Sequence, residues 1–515
     1  MSIQSLPQEC VSHIFEILQD NKDDKSLFSC LQVNRDWCIC VVPILYRTPL
    51  NKEQHERSKS QRSKLISTYL SCLNEVEKDC FMKIHDINVS LNTRPLFDYP
   101  VYLEEFCNEH LREKISNWIM LMIKNISLTE QQQLLQIISS KLYPLLISKS
   151  KNLIYLKIVS INSDIPNIYT FLAYSGLENI SRFDFTSNES ELPNIMRLVK
   201  ELPSRCKNIR TVNFNYKLTT NEDGEIAMAK ALCKLIETQS NLKSLYLKFK
   251  GKAINHIMIA LKSKSHSLTY LYLKKLTLND DAIHSLTRCA SLEVLGFESC
   301  NITSESCKYF ADDSKFRLKK LYLVGNMKTE IKCLIIQAAG QSLQSLIIDE
   351  IDSDLIASIL GSCSNIIELI LMASDYENIG LYKLLMNLRY LRKLTLRFTS
   401  ECIMKSLGTS LPSSLKHLGF INSNCTSHTF DNFLNECNVQ IESLELFNFV
   451  HFRHVSEYVK GHYNHLRVIY FGNSSDMIKE ELSEIDKIKE FVKVKFMGKD
   501  YKINSFDFLK KKLIF

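Results

Sequence analysis

The chain is poor in glycine, with 13 in 515 residues, and in proline, with 10. Phosphate-cradling loops need several glycines so that the backbone can close on the ligand, and no loop of that kind is present. HExxH, a nucleophile elbow and a Cys-x-x-Cys pair are also absent, so no common catalytic or redox signature is carried. Long apolar runs are missing too. Trp118-Ile-Met-Leu-Met-Ile123 falls far short of the roughly 18 residues that span a bilayer. The first residues, Met1-Ser-Ile-Gln-Ser-Leu-Pro, lack the basic-then-apolar order of a secretory signal. The expectation is a protein of the cytoplasm and/or nucleus, with no membrane partner, no metal and no cofactor.

Cysteine is raised rather than scarce, at 17. The count is odd, and the residues are scattered mostly among apolar neighbours, as at Cys233, Cys289, Cys333 and Cys363. In a reducing compartment such thiols act as small buried hydrophobes, so no disulfide framework is expected. Net charge is +7, spread thinly apart from a basic run in residues 52–64 and Lys510-Lys511-Lys512. A nucleic-acid binder concentrates basic charge on one face among stacking aromatics. Nucleic acid is therefore not an expected partner.

What is present is a repeat. Between residues 153 and 496 one phrase recurs: apolar, two variable, apolar, one variable, apolar. It reads Leu268-Thr-Tyr-Leu271-Tyr-Leu273, then Leu292-Glu-Val-Leu295-Gly-Phe297, then Leu318-Lys-Lys-Leu321-Tyr-Leu323. The middle apolar residues are Leu156, Phe183, Val212, Leu245, Leu271, Leu295, Leu321, Leu346, Leu369, Leu394, Leu418, Leu444, Ile469 and Val494. The mean step is about 26 residues, within the roughly 20 to 29 of leucine-rich repeats. Helix-compatible stretches fill the gaps. The fold class expected is α/β: a leucine-rich-repeat solenoid with parallel strands on the concave face and helices on the convex face. Each unit is too small to bury its own apolar face, so neighbours stack into one core.

The organisation expected is residues 1–48 as a small helical unit, 49–64 as a polar linker and 65–152 as a helical connector. An array of about 14 repeats over 153–498 and a basic segment over 499–515 follow. Ile84-His-Asp-Ile87-Asn-Val89 has the repeat spacing too, so the array can begin early in degenerate form. Cys300, Asn326 and Asn473 lie where these repeats favour Asn or Cys after the strand.

Alternate side chains of a strand face opposite ways. With the apolar pair of each phrase inward, Tyr246, Lys248, Tyr270, Tyr272, Lys274 and Tyr322 fall on the concave surface. They form the candidate substrate-binding patch, since tyrosine offers a large rigid ring with a hydroxyl. Equally, concave tyrosines can simply pack on one another. The lysines permit an acidic or phosphorylated ligand without requiring one. His451-Phe-Arg-His454 and His462-Tyr-Asn-His465 invite a zinc reading. Neither pair encloses a carboxylate or cysteine, and they are read as surface histidines.

At the N-terminus, Leu6-Pro7-Gln8-Glu9 leads into Val11, Ile14-Phe15 and Leu18 at helical spacing. Leu27, Cys30-Leu31 and Val33 follow, then Asn34-Arg35-Asp36-Trp37 and Val41-Val42-Pro43-Ile44-Leu45-Tyr46. In order and spacing this stretch resembles the F-box, over roughly 8% of the chain. The whole layout is similar to that of F-box/leucine-rich-repeat proteins, particularly fungal ones. The resemblance implies a three-helix unit docking the Skp-type adaptor of a cullin-RING ubiquitin ligase, with the repeats holding an unidentified protein substrate and no catalysis by the chain itself. It places Leu6, Pro7, Ile14, Leu18, Leu27, Leu31 and Trp37 at or behind the adaptor interface, with Ile14 and Leu31 open to a role in the internal core. The rival reading is a leucine-rich-repeat interaction scaffold without ubiquitylation, its N-terminal helices a cap on the array.

Overall fold

The register of the repeat phrase dictates the sheet. In the computed structural model, residues 7–496 are described except 22, 51–58, 79–93, 124–125, 161–164, 166–174, 189–192, 218–221, 252, 304, 313–315, 373–377, 398–400, 422–425, 448–451, 463–464 and 473–478. The chain divides into two compact units, Met1–Leu268 and Thr269–Phe515.

The first unit opens with three helices: α1 (Gln8–Asp20), α2 (Asp24–Cys30) and α3 (Arg35–Leu45). Their starts are set by caps. The Asp23 carboxylate accepts the Ser26 N–H at 3.1 Å, and the Asn34 side chain accepts that of Trp37 at 2.8 Å, satisfying amides that have no partner within the helix. Val11, Phe15, Leu27, Cys40, Val41, Ile44 and Leu45 form the core between them, with Leu18, Cys30, Leu31, Trp37 and Tyr46 packed against it. Phe15 meets Trp37 edge to face at 5.2 Å.

A helix over Lys59–Ser71 takes in the end of the expected polar linker. The sheet then begins at β1 (Glu105–Cys107), ahead of the expected start at residue 153. β1 pairs in parallel with β2 (Tyr155–Ser160), Phe106 opposite Leu156. Between them lie two helices, Asn108–Met122 and Leu128–Lys149, the second opened by a capping box of Ser127 and Glu130. This insertion hid β1 from the repeat count, since the phrase here is only three residues long. The Asn108 amide fastens the insertion to the sheet: it donates to Val159 O and accepts from Val159 N, both at 2.7 Å. The degenerate repeat expected at 84–89 lies outside the described residues. β3 (Arg182–Ser187), β4 (Thr211–Lys217) and β5 (Ser244–Lys250) continue in parallel, aligning Leu156, Phe183, Val212 and Leu245.

In the second unit the same inward row runs Leu271, Leu295, Leu321, Leu346, Leu369, Leu394, Leu418, Leu444, Ile469, Val494. It is built by β6 (Tyr270–Lys274), β8 (Val294–Glu298) and β10 (Lys320–Val324), then β11 (Ser345–Ile348), β12 (Glu368–Leu371) and β13 (Lys393–Arg397). β14 (His417–Ile421), β15 (Ser443–Phe447), β16 (Val468–Phe471) and β17 (Lys493–Phe496) complete it, with helices between most neighbouring strands. A small pair, β7 (Thr277–Leu278) and β9 (Asn301–Ile302), sits where the chain leaves β6 and β8. Every middle apolar residue picked from the sequence falls in its register row, and each unit is a leucine-rich-repeat solenoid of parallel strands and helices. Cys300 is buried, its thiol directed to the Leu273 carbonyl at 3.3 Å, in the role expected of the residue after the strand. Asn326 is exposed, and Asn473 lies outside the described residues. The described cysteines are free thiols, and burial pushes those of Cys206, Cys289, Cys300 and Cys363 up to about 12.

Candidate functional site

Two surfaces come out of this architecture. On the N-terminal helices, the described residues of the expected interface divide by depth. Pro7 is exposed just ahead of α1, and Ile14 is 43% exposed, so Ile14 does not serve the internal core. Leu18, Leu31 and Trp37 are half-buried against the core. Leu27 is wholly buried, which corrects any reading of it as a contact residue: α2 turns it inward between its neighbours. Leu6 lies outside the described residues. Four further large apolar side chains of this unit, not among the expected interface residues, are exposed: Ile17 at 48%, Phe28 at 40%, Val33 at 54% and Ile39 at 41%. Ile17 follows Ile14 by one turn and shares its face of α1, a spacing visible in the sequence.

The concave face of the first unit is organised around Asp184. Its carboxylate accepts from the Tyr155 hydroxyl at 2.7 Å, from both forks of Arg182 at 3.0 and 3.2 Å, and from the Asn213 amide at 2.5 Å. The Arg182 guanidinium also lies 4.5 Å from the centre of the Tyr155 ring. Burial first, and then the Asp184 charge, push the Tyr155 phenol far up, so it remains a donor. Tyr246 and Lys248 stand next in register to Asn213 and Asn215, both half-buried.

In the second unit Tyr272 and Tyr322 fill space rather than present it. Tyr272, Gly296 and Tyr322 share one register row. Glycine between them lets the Tyr272 ring lie across β8, and it meets Tyr322 edge to face at 6.0 Å. Both rings are buried, at 0% and 2% exposure, which corrects their expected place among partner-contacting residues. The Tyr272 hydroxyl donates to Glu298 at 3.0 Å, and Lys274 pairs with the same carboxylate at 2.6 Å. Tyr270 stays half-buried. Farther along, Lys393 lies 3.5 Å from Glu368 and 3.5 Å from Glu445, and His417 Nδ1 lies 2.7 Å from the Ser443 hydroxyl. The concave lysines Lys274 and Lys393 are thus matched by the protein's own carboxylates. Glu298 and Glu445 appear in the sequence as solvent-side residues, and only strand register makes them partners.

A group of metal-capable donors at Cys107, Glu109 and His110 follows from adjacency in the chain. Burial pushes the Cys107 thiol up, and Glu109 already faces Lys157 at 3.4 Å. No helix among the described residues is long and apolar enough to cross a membrane.

No family model and no curated protein matches the chain. Solved structures do. One is a crystal structure of a TLR13–ssRNA13 complex, with TM-score 0.33 and 12% identity, over 64% of this chain and 54% of that one. Another is an internalin (InlF) from Listeria monocytogenes, with TM-score 0.27 and 14% identity, over 70% of this chain and 84% of that one. The chain thus spans about half the length of the TLR13 chain it matches. Likeness at this level carries nothing about ligands.

Proposed function

We propose that the chain is the substrate-recognition subunit of an SCF-type ubiquitin ligase, non-catalytic itself. The N-terminal helices dock a Skp-type adaptor and through it a cullin-RING ligase, and the repeats hold a protein substrate. The observation that carries this reading is the exposure of Ile14, Ile17, Phe28, Val33 and Ile39 on a unit whose core is already closed without them. A three-helix unit of this size buries too little to spare such side chains, and exposed apolar surface of this kind suits a partner. The motif order of the F-box resemblance supplies the partner's identity. In this reading the chain works by raising the local concentration of substrate near the ubiquitin-charged enzyme, so it needs no reactive residue of its own. Tyr246 and Lys248 on the first unit, and Tyr270 on the second, remain accessible enough to contribute to substrate capture.

The test is adaptor binding by the purified full chain, wild type beside Leu6→Ala/Pro7→Ala and beside Ile14→Ala/Phe28→Ala. Interface anchors are each worth about 2 kcal/mol, so both pairs should weaken binding by well over tenfold with unchanged circular dichroism. A folded wild-type chain that ignores the adaptor ends the proposal. Adaptor binding without cullin copurifying favours a scaffold that does not ubiquitylate.

A further inference from the structure

The histidine-rich stretch of residues 451–465 reads as surface in one dimension, but the fold gives one of its members carboxylate neighbours. His454 and Glu457 lie one turn apart on the helix Phe452–His462 and share a face. The helix of the preceding repeat, Ser427–Glu436, brings Asp431 against them. His454 Nδ1 is 3.5 Å from an Asp431 oxygen and 4.0 Å from a Glu457 oxygen. One donor atom from each residue lies within 4.8 Å of the other two.

These separations suit a shared ion better than direct bonding. His454 Nδ1 is shielded from solvent, yet it makes no hydrogen bond among the described residues. A shielded ring nitrogen without a bond is uncommon and calls for a physical reason. Two ligands each about 2.0 to 2.2 Å from a tetrahedral ion stand roughly 3.3 to 3.6 Å apart. The Asp431–His454 edge of 3.5 Å already has that length. The Glu457 edge, at 4.0 Å, needs only a small swing of a side chain that is 54% exposed.

We propose that Asp431, His454 and Glu457 bind a divalent first-row cation of the zinc class, tying the helix of one repeat to that of the next. One imidazole with two carboxylates suits such an ion. Calcium and magnesium prefer oxygen ligands throughout, and copper(I) prefers sulfur. Three protein donors leave a fourth position to water. Unlike the Cys107 group, these donors come from two helices and are assembled by the fold. The inference stands apart from the ligase reading.

The test uses the full chain, stripped with chelator and titrated with Co²⁺ followed by optical absorption, then with Zn²⁺ in competition. The expected result is one Co²⁺ per chain with nitrogen and oxygen ligand-field bands, no thiolate charge-transfer band, and displacement by Zn²⁺. His454→Ala and the milder Glu457→Gln should each weaken binding at least tenfold, the second with an unchanged circular dichroism spectrum. No uptake by the folded wild type would show that His454 merely forms an ion pair with the two acids when protonated, and would overturn the proposal. So would a thiolate band, or equal affinity in the variants.

Discussion

Gly296 offers the sharpest check on how the concave face is built. It sits between Tyr272 and Tyr322 in the parallel register, and a β-carbon placed on it would overlap the Tyr272 ring. Its backbone is not in the left-handed region, so alanine meets no conformational strain there and alone would gain about 0.4–1 kcal/mol. Against this gain, forcing a methyl under a packed ring costs about 1–3 kcal/mol. Displacing the ring also breaks the hydroxyl bond to the Glu298 carboxylate, about 1.5–3 kcal/mol, and the edge contact with Tyr322, about 0.5–1.5 kcal/mol. These terms overlap, because one movement of the ring causes all three. Gly296→Ala should therefore destabilise by about 2–4 kcal/mol net. The assay is urea unfolding followed by far-ultraviolet circular dichroism for wild type, Gly296→Ala, Tyr272→Ala and the double variant. With the ring gone the new methyl falls into vacated space, so the two substitutions should couple by about 2 kcal/mol or more. If Gly296→Ala costs the same whether or not Tyr272 is present, the ring is not the obstruction and the packing account is wrong.

Two further outcomes follow from buried charge and burial. The Lys332 ammonium is 1% exposed and lies 2.9 Å from Asp349, which also accepts the Gly325 N–H. Asp349→Ala leaves Lys332 only the largely exposed Glu350 carboxylate at 3.7 Å and should cost about 3 kcal/mol, and Lys332→Met in the same chain should recover most of the loss in urea midpoint. Burial first, then the neighbouring Lys393 charge, hold the His417 pKa below its ordinary value. Below about pH 6.5 the unfolded chain takes up this proton before the folded one, so stability contributed by neutral His417 is present above that pH and lost as pH falls. His417→Gln should flatten the fall in urea midpoint as the pH drops below about 6.5, and an unchanged slope would remove His417 as its source.

Most of the solenoid was legible because its period is a local property. An apolar residue at each phrase position must point inward, and stacking then aligns Leu271 through Val494 without further information. β1 was not legible, because two helices separate it from its partner strand and its phrase is cut to three residues. On the N-terminal helices, spacing identified apolar positions but not their depth: Ile14 and Leu27 look equivalent in one dimension, and packing exposes one and buries the other.

The sequence by itself determined the repeat, the strand register and the three-helix start, since each depends on periodicities of two or of 3.6 residues. Only the tertiary structure decided which side chains are spent on the protein itself. Tyr272 is consumed over Gly296, Lys274 by Glu298 and Lys393 by Glu368 and Glu445, while Asp431 comes to His454 from a neighbouring helix. Contacts of this kind join residues some two dozen or more positions apart in the chain. Distance across strands and helices fixes them, and no local spacing encodes it.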